Sequence, residues 1–366
     1  MPEMITVKKR RMSLWVVPAA GVLAVLMYLI SNKVTKSYLL GRVLDDLSTA
    51  QRIGYFALCF ILYLACMFLV ELFIGEGFKW LVDRDNYLVI RKSAMEDAAA
   101  VHFYEEYKKK VTKITLLNES IMNVLMTVLL MIFLLKGGSA GQFRTLIWLV
   151  CILAILNPLD RNTRKKLDEK KTRILYTDCD PVLYFDILEL YQQEPMLRQE
   201  KNRNLLMQAI ACYYLCDYPE MRRKLDAMQK ILLQHIPAFR IGLMGLAAID
   251  ENRPEEFRKC KEELDALEQR TKMTEATRRV FQEARQDWQG RIDLASEDPT
   301  RAEAYVDAYM AKGKHPIEWM DSTFQKAWIQ LCRGEKEQAR ANLLLVAERA
   351  GTMAVRRKAE ELLRTL

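Results

Sequence analysis

Four long apolar runs occupy the first 160 residues and contrast with the regularly spaced apolar positions of the rest of the chain. The runs lie at about 14–30, 53–74, 119–135 and 145–158, and each is nearly free of charged side chains. A helix that crosses the hydrocarbon core of a bilayer needs about 20 predominantly apolar residues. Residues 1–160 are therefore predicted to form a transmembrane region of four helices, of which the fourth is the shortest.

The basic residues directly before the first run leave two interpretations open. A positively charged segment, here Lys8 to Arg11, followed by an apolar stretch is typical of a cleaved signal peptide and also of an uncleaved signal anchor. The segment SNKVTK that follows the run lacks a small-residue cleavage motif. The sequence therefore favours an anchor that stays in the protein.

From residue 174 onward, apolar residues recur with the spacing of amphipathic helices and without the alternation of strands. Asp180-Pro181 and Asp298-Pro299 each place a capping acid before a proline at the first helical position. Many short helices with brief connectors are typical of an array of α-hairpins. Ten helices are predicted near 181–193, 198–216, 218–232, 236–250, 254–268, 273–295, 300–312, 316–333, 335–350 and 352–364.

The predicted fold class is therefore all-α, with two regions of different character. A four-helix transmembrane region at 1–160 includes a charged, amphipathic cytoplasmic segment at 75–117. A basic juxtamembrane linker at 161–180 connects it to a soluble α-hairpin array at 181–366.

Three turns between predicted helices repeat one pattern: Cys216 to Met221 (CDYPEM), Asn252 to Phe257 (NRPEEF) and Gly334 to Ala339 (GEKEQA). Each has a turn residue first, an acid near the start of the next helix and a residue of buried type at the sixth place. This pattern resembles the tetratricopeptide-like family, whose helix pairs recur about every 34 residues. The best match is 327–350, where Gly334 and Ala339 fall at the family's small positions. Met221 and Phe257 depart from that pattern.

The resemblance covers about residues 198–365 and implies a binding function. In that family, stacked helix pairs form a concave groove, lined by the first helix of each pair, that binds a peptide or a partner protein. On this resemblance the polar residues Asn204, Gln208 and Gln325 are candidates for contacts in the groove. A solvated helix surface is the other interpretation of the same three residues.

The distribution of charge predicts how the chain is oriented. Residues 1–156 hold 18 Lys and Arg against 12 Asp and Glu, whereas residues 157–366 hold 37 against 35. Because the basic excess lies in the apolar half, it fits the bias of cytoplasmic loops better than a nucleic-acid interface. With the N-terminus inside, the inner segments near the runs carry 19 Lys and Arg, and the outer loops carry six. Both termini are therefore predicted to be cytoplasmic in a multi-pass cell-membrane protein, and the lack of organelle targeting favours a bacterial source.

A cluster of lysines precedes the third apolar run. Lys108, Lys109, Lys110 and Lys113 lie on a helix predicted within the charged segment 75–117. Such a cluster is suited to anionic lipid headgroups. A solvated face that only sets the topology is the alternative.

No motif of a catalytic site is present in the sequence. It has no Gly-rich phosphate loop followed by Lys-Ser/Thr, no HExxH and no G-x-S-x-G. Cys212 and Cys216, four residues apart, are predicted to share one face of a helix in the core, as reduced thiols. Within the apolar runs, an interfacial position explains Glu71, and interhelical hydrogen bonding explains Asn123. No catalytic residue, cofactor or metal site is predicted.

Three classes of function follow. The first is a non-enzymatic scaffold, in which the array recruits a protein or peptide to the cytoplasmic face of the membrane. The second is a membrane enzyme or transporter whose helical-repeat domain is regulatory. The third is a structural role in which the spans or the repeats associate with further copies of the chain.

Overall fold

The computed structural model describes residues 3–8, 87–113, 165–194, 198–228, 235–270, 275–296, 298–313 and 315–366. The four predicted transmembrane runs all lie outside these residues. Among the helices that are described, none combines the length and the apolar character needed to cross a bilayer.

The N-terminal part of the described chain contains a small sheet that the sequence pattern did not predict. Strands β1 (Met4–Lys8) and β2 (Tyr87–Arg91) pair in antiparallel register, with Met4 opposite Arg91 and Lys8 opposite Tyr87. Helix α1 (Lys92–Glu96) follows β2 directly, and helix α2 covers residues 98–113. Asp97 begins α2 by accepting the N–H groups of Ala99 and Ala100.

Helix α3 covers residues 165–176, within the segment predicted to be a linker. It packs beside α2, because Tyr107 donates to Asp168 at 3.1 Å and Lys170 lies 3.6 Å from Glu106. Residue numbers rise along one helix as they fall along the other, so the two helices are antiparallel. Leu175 is fully buried in the main core, which makes α3 part of the folded array.

The rest of the described chain is helical, as predicted, and each of the ten predicted helices is present. The predicted caps are confirmed: Asp180 accepts the N–H of Leu183, and Asp298 accepts the N–H of Thr300. The elements are α4 (Pro181–Tyr191), α5 (Arg198–Tyr214), α6 (Tyr218–Asp226), α7 (His235–Asp250), α8 (Pro254–Arg270), α9 (Glu275–Ala295), a 3-10 helix (Pro299–Ala302), α10 (Glu303–Lys312), α11 (Pro316–Cys332), α12 (Lys336–Arg349) and α13 (Ala354–Thr365).

Helices that follow one another pack as hairpins, including α4 with α5, α5 with α6, α7 with α8, α11 with α12 and α12 with α13. The largest apolar cluster draws residues from α2 to α7 and from α11 to α13, among them Phe185, Leu225 and Leu343. A second cluster, around Phe281 and Trp288, lies between α7, α8 and α9.

Helix α9 approaches α7 closely because α7 has glycines at the contact. Trp288 of α9 donates from Nε1 to the carbonyl oxygen of Gly242 at 2.8 Å. A Cβ atom at Gly245 would lie 2.4 Å from the indole ring of Trp288. Only glycine therefore accommodates the large, buried ring at this crossing.

The last helical hairpin contacts the turn that precedes α4. The N–H of Thr352 donates to the carbonyl of Cys179 at 3.1 Å, and its hydroxyl donates to the capping carboxylate of Asp180 at 2.7 Å. Gly351 has a φ of 50°, and a Cβ there would lie 2.2 Å from the Cys179 oxygen. The α12–α13 turn is thus fixed against the α3–α4 turn, about 170 residues away in sequence.

Candidate functional site

The three repeated turns share one backbone geometry. Cys216, Asn252 and Gly334 have φ values of 55°, 54° and 80°, in the left-handed region where helices commonly end. At each turn this residue's N–H donates to the carbonyl three residues back, and the next N–H donates to the carbonyl five residues back, at 2.8–3.0 Å. This is the Schellman arrangement, which satisfies the last carbonyls of a helix.

The sixth residue of each turn also occupies an equivalent place. The N–H groups of Met221, Phe257 and Ala339 donate to the carbonyl of the second turn residue at 3.0–3.1 Å. Met221 and Ala339 are fully buried. Phe257 is half-buried and packs edge-on against Trp288, with ring centroids 5.3 Å apart. The position therefore accepts a large side chain where a neighbouring helix offers an aromatic contact.

The three candidate groove residues are all buried and bonded within the fold. Asn204 donates to the carbonyl of Leu188 at 3.0 Å, which ties α5 to α4. Gln208, also on α5, accepts from Gln192 at 2.6 Å. Gln325 lies on α11 and donates to Asp321, one turn earlier on the same helix, at 2.6 Å. Their surroundings are those of packing residues, and they are not part of a solvated helix surface.

The four lysines predicted to face lipid differ in their surroundings. Lys108 pairs with Glu194, beyond the end of α4, and Lys110 pairs with Glu106 of its own helix. Lys109 and Lys113 are exposed. These two exposed members follow Lys108 along α2.

A buried ionic network attaches strand β2 to helices α4 and α6. Glu189 is fully buried, and its Oε1 accepts from Nζ of Lys224, itself 4% exposed, at 2.6 Å. The other carboxylate oxygen of Glu189 accepts the backbone N–H of Arg91 at 2.5 Å. The Arg91 guanidinium lies 4.0 Å from the centroid of the Phe185 ring and 3.1 Å from Asp217. The strand is thus bound to the array by charges shielded from water.

Asp186 lies beside this network and is almost fully buried. Burial raises the pKa of its carboxyl to about 7, and the nearby Arg91 opposes that rise. The negative charges of Asp97, Glu189 and Asp180 raise the pKa of Asp186 further.

A pH dependence of stability follows from Asp186. An unfolded Asp has a pKa of about 3.9, so between about pH 4 and pH 7 the folded chain binds this proton more tightly than the unfolded chain. The contribution of this group to stability is therefore lost as the pH rises through that window. Asp186→Asn is expected to stabilise the chain at pH 8 and to reduce the difference in unfolding midpoint between pH 5 and pH 8. Asp226→Asn, on an exposed side chain, is the control, and an unchanged pH difference in Asp186→Asn would contradict the assignment.

A second polar network joins four helices through Arg291 of α9. Its Nη2 lies 2.8 Å from the Tyr213 hydroxyl on α5 and 2.9 Å from Asp321 on α11. Its Nε lies 3.9 Å from Asp250 on α7. Gln325 donates to the same Asp321 oxygen. One guanidinium thus connects helices that are far apart in sequence.

The prediction that Cys212 and Cys216 share one helix face is wrong. Cys212 is fully buried in α5, as predicted, but Cys216 does not share its helix face. Helix α5 ends at Tyr214, and Cys216 is the left-handed residue of the turn that follows. Four-residue spacing places two side chains on one face only while the helix continues.

Two further observations bear on chemistry. Among the described residues, no group of three or more His, Cys, Asp or Glu side chains is placed to hold a metal ion. Burial raises the pKa of the Asp287 carboxyl to about 6, although the hydrogen bond from the Tyr305 hydroxyl lowers it. The Tyr305 contact joins α9 to α10, so this carboxyl also has a packing role.

No protein-family model, curated protein or solved structure matches the chain. Its function must therefore be inferred from its own residues. The resemblance to the tetratricopeptide-like family is carried by the three turns and by the helix pairs that they join.

Proposed function

We propose that the chain is a membrane-anchored scaffold whose helical array, held at the cytoplasmic face of a cell membrane, binds a protein or peptide partner. The predicted spans provide the anchor, and the described helices provide the array. The proposal rests on the positions at which the chain leaves the helical array and returns to it.

Each of the two long segments that contain predicted spans begins and ends at paired positions. Residues 9–86 connect Lys8 to Tyr87, which are opposite each other in the sheet. Residues 114–164 connect Lys113 of α2 to Lys165 of α3, which lie toward the same side of an antiparallel helix pair. A segment that returns to its starting point must cross a membrane an even number of times. Two predicted spans in each segment satisfy this condition.

The same packing favours one compartment for every described segment. Strand β1 pairs with β2, the Arg91 network joins β2 to α4 and α6, and α2 packs on α3. These segments carry 12 of the 19 Lys and Arg residues of the predicted inner segments. Basic loops mark the cytoplasmic side of a membrane protein, which supports a cytoplasmic array.

A contact for the partner is proposed on α11. Trp328 is 42% exposed on this helix, the first of the hairpin that best resembles the tetratricopeptide-like pattern. First helices line the groove in that family, and exposed aromatic residues commonly anchor protein interfaces. Leu344 is similarly exposed, at 47%, but lies on α12, the second helix of the hairpin. The two residues therefore form a matched pair for an experiment.

Crosslinking in intact cells, followed by purification of the full-length chain, tests this function. Recovery of the partner is expected to fall more than about tenfold in Trp328→Glu, because loss of an aromatic anchor costs about 2 kcal/mol or more. Leu344→Glu introduces the same charge and is expected to leave recovery within about twofold, a difference below 0.5 kcal/mol. Equal recovery in both variants would remove Trp328 from the interface. Recovery of only further copies of the chain would favour self-association over recruitment.

A further inference from the structure

Neighbouring parts of α2 and α3 form a basic surface on the side of the third and fourth predicted spans. We define this basic tip by five lysines, three at residues 109–113 of α2 and two at residues 165–166 of α3: Lys109, Lys110, Lys113, Lys165 and Lys166. The antiparallel contacts between the helices, from Tyr107 to Asp168 and from Glu106 to Lys170, place residues 113 and 165 at the same end. Residues 109–113 and 165–167 contain no acid.

The charges of the basic tip are available for a ligand. Lys109, Lys113 and Lys166 are exposed, and no carboxylate of the described residues lies within 4.0 Å of their amino groups. Lys165 lies 3.7 Å from Glu169, and Lys110 pairs with Glu106, both within one turn of exposed helix. Exposed pairs of this kind are weak, so they leave most of the positive potential in place.

The position of the tip identifies its partner. Lys113 lies six residues before the run at 119–135, and Lys165 lies seven residues after the run at 145–158. Six or seven residues extend about 10 Å as a helix and at most about 25 Å as an extended chain. At the shorter of these distances the lysines lie within about a Debye length of the headgroup charge. A nucleic acid or an acidic protein would have to enter this narrow space beside the bilayer.

We propose that the basic tip binds the phosphodiester headgroups of anionic phospholipids in the inner leaflet. This inference rests on the proposed membrane-anchored function and adds the lipid class that the anchor recognises. Binding orients the α2–α3 pair against the membrane and, through their shared core with α4, the array with it. Each lysine next to an anionic surface strengthens binding about fivefold, and salt weakens it.

The test uses the full-length chain in neutral detergent micelles, titrated with phosphatidylglycerol and, separately, with phosphatidylcholine. Bound lipid is counted by native mass spectrometry. Replacement of all five lysines of the basic tip by glutamine is expected to reduce the apparent affinity for phosphatidylglycerol about 30-fold or more. The matched control variant replaces five exposed basic residues elsewhere by glutamine and has the same net charge: Arg258, Lys259, Lys261, Lys336 and Arg357. It is expected to stay within about threefold of the wild type, since these side chains lie outside the basic tip.

Several outcomes overturn the inference. Equal affinities of the two variants would remove the basic tip as the lipid site. Equal affinity for phosphatidylcholine would show that the negative charge is not recognised. Full competition by inorganic phosphate at concentrations that match the lipid would assign the tip to a free anion.

A separate experiment distinguishes the absence of a lipid site from an error in the proposed membrane orientation. Cys332 is exposed on α11 and serves as a natural reporter, with Cys332→Ser as its control. An impermeant thiol reagent is expected to label it only after the cells are permeabilised. Labelling in intact cells would overturn the cytoplasmic orientation, whereas protection of Cys332 with no loss of affinity in the five-lysine variant would overturn the lipid site alone.

Discussion

Lys224→Met is expected to lower the free energy of unfolding of the full-length chain in detergent by about 3–5 kcal/mol, because it leaves a buried carboxylate without its cation. Glu189 is fully buried, and the Lys224 amino group at 2.6 Å is the partner of its Oε1. Methionine keeps an unbranched apolar side chain of nearly the same length and lacks the charged amino group. Thermal or denaturant unfolding, followed by circular dichroism, measures the loss.

Two further variants identify the cause of the effect. Arg223→Met removes the neighbouring cation of α6, which is 49% exposed and paired with Glu220, and is expected to cost less than about 1 kcal/mol. Glu189→Gln combined with Lys224→Met removes both charges and keeps an oxygen for the Arg91 N–H. This double variant is expected to recover much of the stability, since no uncompensated charge remains buried. A double variant as unstable as Lys224→Met would point instead to lost packing around the lysine stem.

The Glu189–Lys224 pair also holds strand β2 against the helical array. Because Glu189 accepts the backbone N–H of Arg91, the pair binds β2 to the array as well as joining α4 to α6. Faster hydrogen exchange at Arg91 is therefore expected in Lys224→Met before the array itself unfolds. Since β2 precedes α1 and α2, this contact links the segment that follows the second predicted span to the helical core.

The helices and turns of the array were predictable because their determinants are local. Proline after aspartate marks where α4 begins, and a turn residue with an acid within the next three positions marks the turns at Cys216, Asn252 and Gly334. Amphipathic spacing then gives the length of most helices to within a few residues, whereas α6, predicted at 218–232, ends at Asp226. Met221 and Phe257 are the exceptions within the turns, and at Phe257 the contact with Trp288 from a different hairpin accommodates the large ring.

The sheet, the contact between α3 and the core and the meeting of the Thr352 and Cys179 turns were not predictable in this way. Strands β1 and β2 are five residues each and about 80 residues apart, so no local pattern records their pairing. The β-branched residues in MITVK and YLVIR were the available signal. The two acids within the apolar stretch FDILEL, Asp186 and Glu189, were a signal for a buried network, because charges in a core helix require partners.

The candidate groove residues show the limit of a resemblance. Asn204, Gln208 and Gln325 are candidates because, in the family that the turns resemble, residues of the first helices line the groove. In this chain, the hydrogen bonds of the three side chains join neighbouring helices or turns. Sequence position identifies the helix that bears a residue, but the packing of α5 against α4 decides whether that residue is exposed. The exposed side chain of Trp328 is therefore the better candidate for a contact with a partner.

Arg291→Met is expected to destabilise the array by about 3–5 kcal/mol, because the guanidinium is the cation between two carboxylates at a junction of four helices. Asp321 at 2.9 Å and Asp250 at 3.9 Å would lose this cation, and Tyr213 would lose its partner on α9. The loss should reach helices that are distant in sequence. Hydrogen exchange is therefore expected to accelerate in α5, α7 and α11 together.

Arg279→Met on the same helix provides the control. Arg279 is exposed and lies 3.5 Å from Glu275 one turn earlier, so its replacement is expected to change stability by less than about 0.5 kcal/mol. Arg291→Lys separates charge from geometry: a lysine retains the positive charge but cannot contact Tyr213 and Asp321 through a planar fork. We expect its stability to lie between those of the wild type and Arg291→Met. If Arg291→Met and Arg279→Met were equally stable, the network would not hold the array together, and apolar packing between α7 and α9 would have to do so alone.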